Sequence, residues 1–282
     1  MDTYIANLAN PLFYSSQKRL NASAKFFGIN NIFSFKYEEL LNTKFFSENK
    51  RILGQRKGLG YWLWKPYIIL EVLKKANDGD ILIYSDSGIE IIGDLSPLIK
   101  LVRTTEGVLV FNNCDYTNNI WTKRDCFVLM DCDNENYWFG PHIEGAFQVY
   151  QKNKFSLSFV EEWLNYGKNE NIITDLPNVT GFNNIEGYRE HRWDQSILSN
   201  LVIKHNLQIF RCPTQFGNHY KMPDFRINGE LTMQNHFTFN YSYSDSPFLN
   251  SPYFTLLNHH RTKESVSILH KVIRKVKLFP NA

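Results

Sequence analysis

Residues 58–90, GLGYWLWKPYIILEVLKKANDGDILIYSDSGIE, read as a helix, a turn and a buried strand in immediate succession. From Trp64 to Ala76 the apolar residues fall at helical spacing. Pro66 stands near the start, where a proline removes no intrahelical hydrogen bond. NDGD at 77–80 is a turn. ILIYSD at 81–86 is short and apolar, as a strand covered on both faces is. Its carboxyl end delivers Ser85, Asp86, Ser87 and Gly88. In open α/β sheets ligands bind at that end of the strands. The segment ahead of the helix, GQRKGLGYW (54–62), is a glycine-rich, basic loop.

Outward from this unit, strand and helix patterns alternate. Residues 3–8 and 30–35 read as strands, with a helix over 16–27 between them that Gly28 closes. Downstream, 107–112 and 145–151 read as strands, 122–130 as a helix, and 156–167 as a helix ended by Gly167. A helix over 191–205 leads into a strand at 207–213. Such alternation argues α/β. From 214 to 262 the chain is loop-like and rich in Asn, Tyr, Phe and His. With no repeat and no linker, residues 1–264 read as one domain. Residues 265–282 add a basic amphipathic helix. Val266, Leu269, Val272, Ile273 and Val276 line one side of it and His270, Lys271, Arg274, Lys275 and Lys277 the other. That pattern fits packing on its own domain, and equally an in-plane helix at an anionic membrane.

Bulk composition narrows the class. The chain has 282 residues, 43% hydrophobic and 21% charged, as in an ordinary globular protein able to bury a full core. A net charge of +3 is too small to imply a nucleic-acid partner. Cys114, Cys126, Cys132 and Cys212 have no CxxC spacing, so neither a zinc knuckle nor a redox pair is indicated. No secretory signal and no membrane span is readable, and the expected location is the cytoplasm with reduced thiols. The 15% aromatic content suits core filling, and also a cleft where flat rings lie against sugar faces.

Four stretches carry candidate chemistry. Asp86 at a strand tip is where a divalent cation is usually held; taken alone, it is as readily a turn cap with Ser87 and Gly88. HRWDQSIL (191–198) opens a helix with residues too polar and bulky for a routine core start, and Asp194 is either functional or a helix cap. GPHIEGAFQVY (140–150) offers the small residues Gly145 and Ala146 beside the acid Glu144, which is a second candidate carboxylate or an edge-strand acid in water. LLNHHRTK (256–263) brings two histidines and two cations late in the chain. DCD (131–133) follows a helix-like run, not a strand, and reads as a solvated loop. No GxxxxGK[ST] loop is present, which disfavours a P-loop nucleotidyl- or phosphotransferase.

Taken together and in this order, these stretches resemble bacterial glycosyltransferases of the GT-A type that build capsule and lipopolysaccharide. YSDSG stands where those enzymes carry a DxD motif, with Gly88 replacing the second acid. The resemblance implies a GT-A-like fold, a Rossmann-type mixed, mostly parallel sheet with helices on both faces. It implies transfer of a hexose from a nucleotide-sugar, UDP-galactose or UDP-glucose, to an oligosaccharide or lipid-linked saccharide acceptor, with retention. Lys65, Asp86, Ser87, Gly145 and Ala146 would then bind the donor, with Arg19, Arg261 and Lys263 as cationic helpers. Asp194 and Gln195 would work at the sugar, with Glu144 as a further catalytic carboxylate. Trp193, His142 and His191 would face the acceptor. Asp86 with His259 or His260 would hold a divalent metal, Mn²⁺ by preference. The lipid-linked acceptor would make peripheral contact with the inner membrane face useful. The rivals are an inverting transferase with Asp194 or Glu144 as base, and a sugar-binding protein without catalysis.

Overall fold

The computed structural model describes residues 1–217, 226–227, 230–231 and 248–260. A seven-stranded sheet forms its centre, in the order β2-β1-β3-β7-β5-β6, with β8 also paired to β5. The strands are β1 Thr3–Ala9, β2 Asn31–Lys36, β3 Ile81–Ser85, β5 Val108–Thr117, β6 Pro141–Ile143, β7 Phe147–Gln151 and β8 Ile209–Phe210. β1 pairs in parallel with β2 and β3, and β5 in parallel with β8. β7 runs antiparallel between β3 and β5, and β6 antiparallel to β5. Strands β1, β2, β3, β5 and β8 therefore point one way and only β6 and β7 the other, the mostly parallel sheet expected from the sequence. The 207–213 strand shortens to two residues. Outside the sheet, β4 Ile89–Ile91 pairs antiparallel with β11 Leu257–His259, and β9 Arg226–Ile227 with β10 Glu230–Leu231.

The period of two along each strand divides the core into two layers. Leu8, Leu82, Tyr84, Val108, Val110 and Tyr150 face one side, and Ile5, Ile81, Ile83, Leu109, Phe111 and Val149 the other. The first layer is covered by helices α2 Trp64–Lys75, α4 Lys154–Gly167 and α5 Trp193–Lys204, through residues such as Ile69, Trp163 and Leu201. The second is covered by α1 Tyr14–Phe26 and α3 Ser96–Val102, through Leu20, Ala24 and Leu98. α1 stops where Gly28 takes φ +86° and Ile29 N–H bonds back to Ala24 O at 2.9 Å.

The glycine-rich loop turns the opposite way from the other helical segments among the described residues. Gly58, Leu59, Gly60, Tyr61 and Trp62 take φ of 55, 57, 95, 54 and 57° in succession. Tyr61 N–H donates to Lys57 O at 2.7 Å and Trp62 N–H to Gly58 O at 3.3 Å, so this is one turn of left-handed helix. α2 begins directly after it. The sequence had marked this stretch only as a loop. No helix among the described residues is long and apolar enough to cross a membrane. Residues 265–282, assigned above to a basic C-terminal helix, lie outside the described residues.

Candidate active site

Helix α2 places Lys65 in its first turn, and the sheet and α5 close over it. The side chain is 4% exposed, and its ammonium nitrogen donates to Gly145 O at 2.7 Å. It lies 2.9 Å from Asp194 Oδ2 and 3.7 Å from Asp86 Oδ1. Burial alone would lower the lysine, but the carboxylates of Asp194 and Asp86 outweigh it and hold the ammonium above its usual value. Lys65 is thus a buried, paired cation. One cation joins the strand tip at Asp86 to the helix start at Asp194.

Asp86 sits just past β3, where its N–H donates to Ala146 O at 2.8 Å. Tyr84, two residues earlier on the same face of the strand, donates its hydroxyl to Asp86 Oδ1 at 2.5 Å. Burial, and then the Asp86 charge, push the Tyr84 phenol well above its ordinary value, so it stays a donor. The Asp86 side chain is 34% exposed, against 4% for Asp194, so Asp86 is the member of the trio that meets solvent.

Asp194 is the second residue of α5. The cap position is Arg192 and carries no side-chain capping bond, which removes the reading of Asp194 as an N-cap. Its carbonyl accepts from Trp163 Nε1 at 2.9 Å. Burial raises the carboxyl to about 6 in spite of Lys65, which pulls the other way. Gln195 donates from Nε2 to Ile143 O at 2.6 Å. Its side chain lies against Gly145, where an added Cβ would stand 3.2 Å from Gln195 Cβ. Gly145 is therefore small because Gln195 packs there, and its carbonyl is the one Lys65 uses. Glu144 is turned to its own loop, where Oε1 accepts from Ala146 N–H at 2.8 Å.

No protein-family model matches the chain, and no curated protein matches it. Among solved structures it is similar to mouse xyloside xylosyltransferase 1 in its apo form, at 8% identity over 93% of this chain and 98% of that one, with a TM-score of 0.47. An active-site mutant of LgtC matches at 12% identity over 98% and 94% of the two chains, with a TM-score of 0.47. The glycosyltransferase GlyE of Streptococcus pneumoniae TIGR4 matches at 13% identity over 96% of this chain and 59% of that one, with a TM-score of 0.40.

Several expected residues lie elsewhere. His142 is fully buried, with Nδ1 at 3.0 Å from Asn118 Oδ1 and 3.2 Å from Ser199 Oγ, and burial lowers it to about 3. His191 is equally enclosed: Nδ1 accepts from Lys123 N–H at 3.3 Å and Nε2 donates to Ile172 O at 2.8 Å. Neither presents a surface to an acceptor, so both are corrected to core residues. Trp193 is also buried, its Nε1 donating to Asp175 Oδ1 at 2.8 Å. In the DCD loop Asp131 is exposed as expected, while Asp133 is partly buried and takes Arg124 Nε at 2.7 Å and Trp138 Nε1 at 2.9 Å.

The histidine pair does arrive beside the strand tip. His259 pairs with Ile89, and His260 N–H donates to Gly88 O at 3.0 Å. The His259 ring packs on Phe216 at 5.6 Å, while His260 shares its surroundings with Arg19 and Glu90. Arg19 reaches Glu90 at 4.0 Å, so it stands near the tip as well. No group of three or more His, Cys, Asp or Glu side chains suited to a metal occurs among the described residues. With Gly88 in the second DxD place and Asp86 Oδ1 held by Tyr84, the described residues alone offer no complete ligand set for a tightly bound divalent cation. Arg261 and Lys263 lie outside the described residues. Tyr84 was missed in the sequence, though the period of two places it on the face of Asp86.

Proposed function

We propose that this chain is a glycosyltransferase that moves a hexose from a nucleotide-sugar to a saccharide acceptor. The observation that carries the reading is the Lys65 bridge, which ties a partly exposed carboxylate at a strand tip to an Asp-Gln pair at a helix start. A binding cleft for an activated sugar needs fixed acceptors for hydroxyl groups and a charge environment that tolerates a departing diphosphate. Asp86 and Asp194 supply the acceptors, and Lys65 holds both in place without reorganisation. Arg19 and His260, next to the strand tip, are candidates for the diphosphate side. The order YSDSG, IEGA, WDQ and HHR supports UDP-galactose or UDP-glucose as donor and surface polysaccharide as product.

Retention is the preferred course on the resemblance of the Asp194-Gln195 pair; Gln195 itself is anchored to β6 through Ile143 O. An inverting course draws its support from Asp194, whose shift to about 6 suits a general base. The anomeric configuration of the product, read by proton NMR, decides between them.

The decisive test is release of UDP from a panel of UDP-sugars, with and without Mn²⁺ and a chelator. Turnover by the wild type, lost in Asp194→Asn and Asp86→Asn, is the expected result. A folded wild type that releases UDP from none of the panel, with or without sugar acceptors, would overturn the reading. Turnover that needs Mn²⁺ would show that a cation binds with help from residues beyond those described.

A further inference from the structure

Six non-glycine residues among those described have positive φ: Leu59, Tyr61, Trp62, Asp131, Trp193 and Asn206. Bulky residues rarely adopt this region, and backbone strain of this kind concentrates at functional sites. Four of the six belong to two short segments, the left-handed turn and the first residue of α5. These two segments meet at the Trp193 indole, on which the Trp62 indole stacks at 4.9 Å and 22° while the Tyr61 ring tilts against it at 6.4 Å.

The rest of the contact is built around that stack. A Cβ at Gly58 would lie 2.1 Å from Trp62 Cε3, so the indole rests on the bare backbone of Gly58. Gly58 O in turn accepts from Trp64 Nε1 at 2.9 Å. On the other side, Trp193 is pinned through Asp175, and Lys57 covers its ring at 4.3 Å. Lys57 also bridges to Asp175 at 3.0 Å. Trp62 O accepts from Lys65 N–H at 2.8 Å, so the turn sets the start of α2. Lys65 thus follows Trp62 by three residues, and Asp194 follows Trp193 by one.

We infer that the Gly58–Trp62–Trp193 stack is a positioning device and that Trp62 is a positioning residue for sugar transfer. The stack fixes the two strained backbones against each other, and through them the separation of Lys65 and Asp194 before any ligand enters. Trp62 acts through its neighbours and touches none of the three charged groups in the structure described. The inference rests on the proposed function for its kinetic consequence, but the geometry it claims is measurable without turnover.

The test compares Trp62→Phe, which keeps a flat ring, with Trp62→Leu, which keeps apolar bulk only, and with Gly58→Ala, whose methyl group displaces the indole. Two readouts are taken on each full-length protein, with cooperative melting as the check of folding. The first is UDP release from the UDP-sugar that the wild type uses best. Trp62→Leu and Gly58→Ala are expected to lose about tenfold or more in kcat, equivalent to about 1.4 kcal/mol in the barrier. Donor KM is expected to move much less, and Trp62→Phe to retain most of kcat. The second is the slowly exchanging ammonium signal of buried Lys65 in ¹⁵N-lysine-labelled protein. It is expected in the wild type and Trp62→Phe, and to be lost or displaced in the other two. Unchanged kcat and an unchanged Lys65 signal in cooperatively folded Trp62→Leu would overturn the inference, leaving the stack a purely structural contact. A wild type that turns over no donor defeats the function reading alone, and the ammonium signal then judges the stack by itself.

Discussion

Lys65 is buried between two acids, and what its removal costs follows from that. A lone buried charge is worse than a buried pair, and breaking a pair by deleting one partner typically costs about 3–5 kcal/mol. Lys65→Ala leaves Asp194 enclosed and unpaired, so urea unfolding is expected to show a loss of that order. Lys65→Ala combined with Asp194→Ala removes both charges, and the double variant is expected to be less destabilised than the sum of the single ones. Additive losses would show that the two side chains do not interact. Asp194 itself makes stability depend on pH. Its folded value of about 6 lies above the 3.8 of a free aspartate, so the folded state holds the proton longer than the unfolded one. Stability from this group is therefore full below about pH 4 and declines as pH rises to about 6, by roughly 1–3 kcal/mol. Asp194→Asn, measured by denaturation across that window, is expected to flatten this contribution. Donor binding runs against it, because an ionised Asp194 is the better acceptor, and kcat/KM is expected to fall below about pH 6.

At the scale of elements, periodicity made most of the fold legible. The runs at 3–8, 30–35, 81–86 and 145–151 and the helices at 64–76, 156–167 and 191–205 all appear within a few residues of their expected bounds. Period two and period 3.6 are local properties, and these segments have them cleanly. The left-handed turn was not legible. GLGYW looks like any flexible loop, because glycine reports freedom and not the hand that neighbours impose on it. Nor could sequence show that β7 runs antiparallel between β3 and β5, since strand order depends on contacts remote along the chain. That insertion matters for the site: it brings Gly145 and Ala146 beside Asp86, while the motif order alone gave only their sequence. The turn gives its own prediction. Gly60 has φ +95°, and a Cβ there would stand 2.5 Å from Leu53 Cα, a backbone atom that cannot swing aside. Gly60→Ala is expected to destabilise by about 2 kcal/mol or more in urea, through both the steric clash and the conformation. Gly28→Ala serves as the control, with φ +86° and nothing within 4 Å, and is expected to cost about 1 kcal/mol from conformation alone.

Across the whole molecule, the two layers of core lie on opposite faces of the sheet, while the charged trio sits at one end of it, where β3 finishes and α2 and α5 begin. The sequence placed residues on their elements where residue types forced a place for themselves. Asp86 ends an apolar strand, and Asp194 opens a helix. The sequence could not show that His142 and His191 are enclosed, because a polar residue in a motif and a polar residue buried in a core look alike until their surroundings are visible. Ligand linkage is the property of the whole fold that tests the proposed donor site. A donor that binds only the folded state stabilises by RT ln(1 + [L]/Kd), about 2.7 kcal/mol at a hundredfold excess over Kd. For a domain of this size each kcal/mol moves the melting point by roughly 2–4 °C, so a bound UDP-sugar is expected to raise Tm by roughly 5–10 °C. Asp86→Asn keeps the shape of the strand tip and removes its charge, so it is expected to lose most of that shift while melting near the unliganded wild type. Free UDP separates the two parts of the proposed donor. If Asp86 and Asp194 serve the sugar, UDP alone stabilises Asp86→Asn as much as the wild type. If Asp86 serves the diphosphate side, the variant loses the UDP shift as well.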